Sequence, residues 1–184
     1  MRHEVHLHAD IPILDGVSRR QIEQALSPWL EYLDADGLAD VKSLEPDEPG
    51  VKFDEKELML YVCWTGETGR SFHPALEQAL ENLGPYCYEA VEVDLTVYHD
   101  NGDQEAKLLF VGPTAKAIHE AQRRCMIEDV VGILSRQFGK AEIARVTALV
   151  NELFDADWKE KASKPQKPER AFETYTRPSR KNLH

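Results

Sequence analysis

His6 and His8 are the residues of this chain whose type and spacing best suit metal chemistry. They stand one residue apart in "EVHLHADIPILDG", where polar and apolar residues alternate as in a β-strand. A strand turns alternate side chains to one face, so both imidazoles point the same way, about 7 Å apart, and can share an ion. Glu92, Asp94 or His99 would complete such a site. One hypothesis is therefore a metal-dependent hydrolase.

The competing interpretation gives the two histidines a purely structural position. His6 and His8 would line a half-exposed sheet face and pair across strands with Glu92 and Asp94. The three cysteines match no paired zinc-ligand spacing, and no serine lies in a G-x-S-x-G motif. We therefore expect no cofactor, and the sequence favours a protein that is not an enzyme.

Hydrophobic periodicity predicts the elements that must position these residues. After the first strand come a helix in "GVSRRQIEQALSPWLEYL", a short edge strand in "LADVKSLEP", a strand in "ELMLYVCWT", a helix in "SFHPALEQALENLGP", a hairpin in "AVEVDLTVYHDNGDQEAKLLFVG", and two helices in "TAKAIHEAQRRCMIEDVVGILSRQF" and "KAEIARVTALVNELFDADW".

The first helix carries its own start and break signals. Ser18 and Gln21 stand at capping-box spacing. Pro28 cannot donate a backbone hydrogen bond, which predicts a kink or a restart with Ser27 as a second N-cap.

This order of elements predicts an α+β protein with a ferredoxin-like βαββαβ sheet domain, an extra edge strand and a C-terminal helical hairpin. The expected divisions are residues 1–113 for the sheet domain, 114–158 for the hairpin packed on or beside it, and 159–184 for a basic tail containing prolines. The early helices would cover one sheet face. On the other face, the candidate binding residues are His6, His8, Asp10, Tyr61, Glu92, Asp94 and Tyr98.

Composition indicates a cytoplasmic protein without a membrane segment. Of the 184 residues 42% are apolar, yet no apolar run approaches the roughly 20 residues that span a bilayer. The start "MRHEVHLHAD" lacks the apolar region of a secretory signal. Three widely spaced cysteines are typical of free thiols in a reducing compartment.

Charge is unevenly distributed along the chain. The net charge is −11, but residues 159–184 carry eight Lys or Arg against three Glu, which leaves −16 on the rest. An acidic body attracts basic protein surfaces, whereas a basic tail can bind phosphates. The candidate tail contacts are Lys164, Lys167, Arg170, Arg177, Arg180 and Lys181.

These observations favour a non-catalytic interaction or regulatory accessory protein that acts through protein–protein contacts. We expect a protein partner, with a homodimer as one form of it. The metal-dependent hydrolase is one alternative. Nucleic-acid binding, through the tail only, is the other.

Overall fold

The computed structural model describes residues 2–163 and 173–176 of the chain. Apart from 3₁₀ turns at Leu38–Asp40 and Gly84–Tyr86, it has six strands and five helices within these residues. They are β1 (His3–Pro12), α1 (Arg19–Ala25), α2 (Ser27–Tyr32), β2 (Gly50–Asp54), β3 (Met59–Thr68), α3 (Phe72–Leu83), β4 (Val91–Tyr98), β5 (Gln104–Val111), α4 (Ala115–Leu134), α5 (Lys140–Ser163) and β6 (Glu173–Thr176).

The strands form an antiparallel sheet in the order β2-β3-β1-β4-β5, with β6 paired to the outer edge of β5. The first strand is central because β3 pairs along its whole length and β4 along half of it. The protein is thus α+β, as the sequence predicts, with the helix pair α4·α5 at its C-terminal end. Among the described residues, no helix combines the length and the hydrophobicity that a membrane span requires.

One sheet face forms the main core under α1, α2 and α3. The apolar residues of β1 that alternate with the histidines are all buried, which confirms the strand prediction. Three aromatic rings meet where the helices cover β3: Trp29 packs edge-on to Trp64 at 5.7 Å, and Trp64 stacks on Phe72 at 5.9 Å. The opposite face of β1 is left to its polar residues.

The predicted edge strand in "LADVKSLEP" is wrong. Leu38–Asp40 is a 3₁₀ turn, and the strand that pairs with β3 is Gly50–Asp54. In the intervening loop, Ser43 Oγ accepts a hydrogen bond from the Thr65 N–H at 2.9 Å, while the Leu44 N–H donates to the Thr65 carbonyl at 2.8 Å. A side chain therefore occupies the place of a backbone acceptor, and no regular ladder forms.

The predicted start of α1 is confirmed, but the predicted N-cap of the helix that restarts after it is wrong. Ser18 and Gln21 form the capping box, and the helix restarts as α2 beside Pro28. Ser27 is not the second cap, since Leu26 occupies that position without a side-chain hydrogen bond. The backbone of Leu26 stays close to helical, at φ −81° and ψ 1°, so Ser27 already lies inside the first turn of α2.

Replacing Ser18 by alanine is expected to lower the free energy of unfolding by about 1 kcal/mol, because the first turn loses its side-chain acceptor. Ser27→Ala is the matched control, because Ser27 caps nothing and alanine suits a helix interior. Urea denaturation of both variants measures the difference. Equal losses would contradict the capping assignment.

On the sheet face opposite the main core, which we call the open face, α4 packs over the β5 end. Leu108 and Phe110 of β5 are buried against Ile118, Ala121 and Cys125 of α4. Because Leu108 lies opposite Asp94 in the ladder, α4 covers the same face that carries the polar residues of β4. The part of this face over β1 and β3 has no helix on it among the described residues.

Candidate functional site

The polar face of β1 and β3 brings together residues far apart in the chain. In the antiparallel register His6 stands opposite Thr65, His8 opposite Cys63, and Asp10 opposite Tyr61. On the other side of β1, His8 stands opposite Asp94 of β4. The open face is therefore a continuous polar surface over three strands.

Glu48 completes a cluster on this face from the loop that precedes β2. Its Oε1 lies 3.1 Å from His6 Nδ1 and accepts a hydrogen bond from the Thr65 hydroxyl at 3.1 Å. Ser43 Oγ donates to the other carboxylate oxygen at 2.5 Å, and His6 Nδ1 also lies 3.0 Å from Thr65 Oγ1. The ligand atoms of His6, Glu48 and Cys63 all lie within 4.8 Å of one another.

The surroundings hold Glu48 charged and the thiol neutral. Burial raises the pKa of Glu48, but hydrogen bonds from Ser43 and Thr65 and the nearby His6 lower it, and the net shift is downward. Burial raises the pKa of the Cys63 thiol, and the negative charges of Glu48 and Asp10 raise it further. Free Cys63 is therefore no activated nucleophile, in keeping with the absence of nucleophile motifs.

His8 lies beside the cluster without belonging to it. Its ring is nearly parallel to that of His6, with 6.5 Å between centroids and 8° between planes, and it is exposed. The group of potential ligands found among the described residues consists of His6, Glu48 and Cys63. His99, a predicted completing ligand, instead contacts the ring of His3 at 5.0 Å and the carboxylate of Glu105 at 3.7 Å.

The other predicted face residues are spread out along the sheet. Tyr61 donates a hydrogen bond to Glu57, which together with burial raises the pKa of Tyr61 to about 12. Glu92 and Tyr98 lie at the two ends of β4, on the same face as Asp94. The predicted tail contacts Lys164, Lys167, Arg170, Arg177, Arg180 and Lys181 lie outside the described residues.

Sequence reasoning missed two members of the cluster. Alternation along β3 places Cys63 on the open face, but nothing local pairs it with His6. Glu48 falls in "PDEPG", a turn pattern, and reaches the sheet only through the hydrogen bonds of its loop. The proximity of Glu48 and Cys63 to His6 arises from tertiary packing and has no local sequence signal.

A second surface lies on the helix pair. His119 of α4 is 3% exposed, with its Nε2 3.0 Å from the Phe154 carbonyl oxygen and its ring 5.0 Å from Trp158. Arg123 adds an ion pair to Asp155 at 2.6 Å. These contacts hold one side of α5 against α4.

The outward side of α5 carries exposed apolar residues. No residue of this 24-residue helix is fully buried. Val146, Leu149 and Leu153 have exposed fractions of 36%, 53% and 61%, and their spacings of three and four place them on one stripe. We call these three residues the apolar stripe.

Comparison with protein families finds a match over most of the chain. The model of a family of unknown function (DUF6806) matches residues 3–155. This range includes β1 to β5 with the helices between them, α4 and most of α5. No curated protein and no solved structure matches the chain.

Proposed function

The chain belongs to the DUF6806 family of unknown function, and we propose that it is a non-catalytic interaction protein, a regulatory or accessory factor whose α5 contacts another protein surface. The observation that carries this proposal is the apolar stripe. A leucine or valine side chain gains about 1.5–3 kcal/mol when it moves from water to a buried site. Three of them along one helix make a typical seam for a second helix.

The occupant that we propose for the apolar stripe is a second copy of this chain. Although the chain as a whole is acidic, α5 carries five acidic and four basic side chains, so two copies of α5 can approach without strong repulsion. An antiparallel packing centred on Leu149 sets Arg145 of one copy beside Glu152 of the other. Two α4·α5 pairs would then form a four-helix bundle.

The oligomeric state of the whole untagged chain tests this proposal. Sedimentation equilibrium is expected to give a dimer, and replacing both Leu149 and Leu153 by glutamate is expected to raise its dissociation constant at least about 100-fold. Leu44→Glu is the control, because Leu44 is 57% exposed on a loop remote from α5 in sequence. Thermal unfolding of the monomeric variant should show that its fold is unchanged.

A wild-type chain that stays monomeric over the whole concentration range of the sedimentation experiment would contradict self-association. Dissociation by Leu44→Glu to the same extent would contradict the assignment to α5. Capture of a different protein that Leu149→Glu abolishes would replace the second copy as occupant.

Two finer assignments belong to the same proposal. The order β2-β3-β1-β4, with the early helices on one face, supports a ferredoxin-like classification of the sheet domain. The three cysteines form no disulfide bond with one another, and Cys87 and Cys125 are buried. Cysteines without disulfide bonds support a location in the reducing cytoplasm.

The two alternatives differ in what supports them. Nucleic-acid binding through the tail stays a prediction, tested by salt-dependent binding that is lost on removal of residues 164–184. The hydrolase alternative gains support from the cluster of His6, Glu48 and Cys63, in which Glu48 and Cys63 replace His8 as the companions of His6. Turnover of a phosphoester or amide by the metal-loaded chain would be its test.

A further inference from the structure

We propose that His6, Glu48 and Cys63 bind a zinc ion on the open sheet face, and that Ser43 and Thr65 hold Glu48 in position for it. This inference goes beyond the proposed interaction function and does not depend on it. A metal site and a helix interface lie on different elements, so either can fail without the other.

The distances suit a zinc ion after a small adjustment. Zinc lies about 2.0–2.3 Å from nitrogen, oxygen and sulfur ligands in a tetrahedral arrangement, which separates the ligand atoms by roughly 3.3–3.8 Å. His6 Nδ1 and Glu48 Oε1 already lie 3.1 Å apart, and no pair of ligand atoms in the group exceeds 4.8 Å. The remaining difference calls for a small movement of the ligand side chains.

The donor set selects the metal. An imidazole, a carboxylate and a thiolate are ligands typical of zinc, whereas magnesium and calcium prefer oxygen ligands alone. On binding, the Cys63 proton passes to solvent, and the thiolate and the Glu48 carboxylate then balance the two charges of the ion. Binding of the ion therefore stabilises the thiolate form of Cys63.

The positions of the ligands are fixed by their surroundings before any metal binds. His6 and Cys63 stand on adjacent strands whose register runs without interruption from His3 to Pro12. Each carboxylate oxygen of Glu48 accepts a hydrogen bond from a hydroxyl, one from Ser43 and the other from Thr65. Such partners behind a ligand orient it and raise metal affinity. Three protein ligands leave the fourth position of a tetrahedral ion open to solvent.

Calorimetric titration of the whole untagged chain with zinc chloride tests the site. We expect one ion per chain, and we expect His6→Gln, Glu48→Gln and Cys63→Ser each to weaken binding by more than about 100-fold. Thr65→Val, which removes only a hydroxyl behind the ligand, should weaken it by roughly 10–100-fold. His8→Gln is the matched control, from the same face of the same strand, and should change the affinity only a few-fold.

Thiol labelling of the wild-type chain gives a readout that needs no variant. Cys63 is partly exposed whereas Cys87 and Cys125 are buried, so iodoacetamide should modify Cys63 first. Zinc is expected to slow that modification in proportion to its occupancy of the site, and cobalt in its place should show a thiolate-to-metal absorption band.

Three results would overturn the proposal. They are a wild-type chain that binds no zinc, a His8→Gln variant that loses as much affinity as His6→Gln, and labelling of Cys63 at the same rate with and without zinc. Circular dichroism of each variant establishes that it is folded before its affinity is compared.

Discussion

Phe72→Ala is expected to lower the free energy of unfolding by about 3–5 kcal/mol. Phe72 opens α3 and is completely buried, with its ring stacked on Trp64 at 5.9 Å and edge-on to Tyr32 at 5.7 Å. Removing the ring leaves a cavity that neighbouring aromatic rings fill poorly, because their own positions are fixed by the sheet and by α2. The loss of transfer energy and the cavity then add.

Phe138→Ala provides the matched comparison. Phe138 is 52% exposed in the turn between α4 and α5, so the same change of side chain removes little buried surface. Its effect should stay within about 0.5 kcal/mol. Urea denaturation followed by tryptophan fluorescence measures both variants, since Trp64 reports on the cluster around Phe72. Equal effects would contradict the position of Phe72 at the centre of the core.

The sheet could be predicted largely because its signals are local. In β1 the two-residue period runs through the eight residues from Glu4 to Ile11, and the capping box of α1 needs only Ser18 and Gln21. The strand order follows from short connections and from the helices that cross from β1 to β2 and from β3 to β4. These rules involve neighbours in the chain, which is why a sequence suffices for them.

The candidate site could be predicted only in part. The alternation of β1 places His6 on the open face, and the alternation of β3 does the same for Cys63. Glu48 has no such pattern, since its loop is irregular and is held by hydrogen bonds to Thr65, 17 residues later. By its spacing His8 is the more obvious second ligand, but it lies outside the cluster, with its ring centroid 6.5 Å from that of His6.

The misplacement of the edge strand has the same physical origin. β2 has five residues, too few for a period to stand out, and its start is determined by the backbone turn at Gly50. The apolar content of "LADVKSLEP" instead serves burial: Leu38 and Val41 belong to the main core without forming a strand. Buried apolar residues in a loop give the same local signal as a short strand.

Gly50→Ala is expected to lower the free energy of unfolding by roughly 2–5 kcal/mol, the sum of a left-handed backbone cost of about 1–2 kcal/mol and an overpacking cost of about 1–3 kcal/mol. Gly50 has a φ of +74°, and an added Cβ would lie 2.2 Å from the Val41 carbonyl oxygen. Neither partner can move easily, because the backbone on one side begins β2 and on the other enters the loop that carries Ser43 and Glu48.

Gly16→Ala separates the two costs. Gly16 has a φ of +81°, but no atom lies within 4 Å of the position of its Cβ, so this variant keeps only the backbone term. Chemical denaturation should therefore show a loss of about 1–2 kcal/mol for Gly16→Ala and a clearly larger one for Gly50→Ala. Similar losses would mean that the loop between Val41 and Gly50 adjusts freely. A freely adjusting loop would also hold Glu48 only loosely over the sheet, so the same pair of variants tests how rigidly this carboxylate is positioned beside His6.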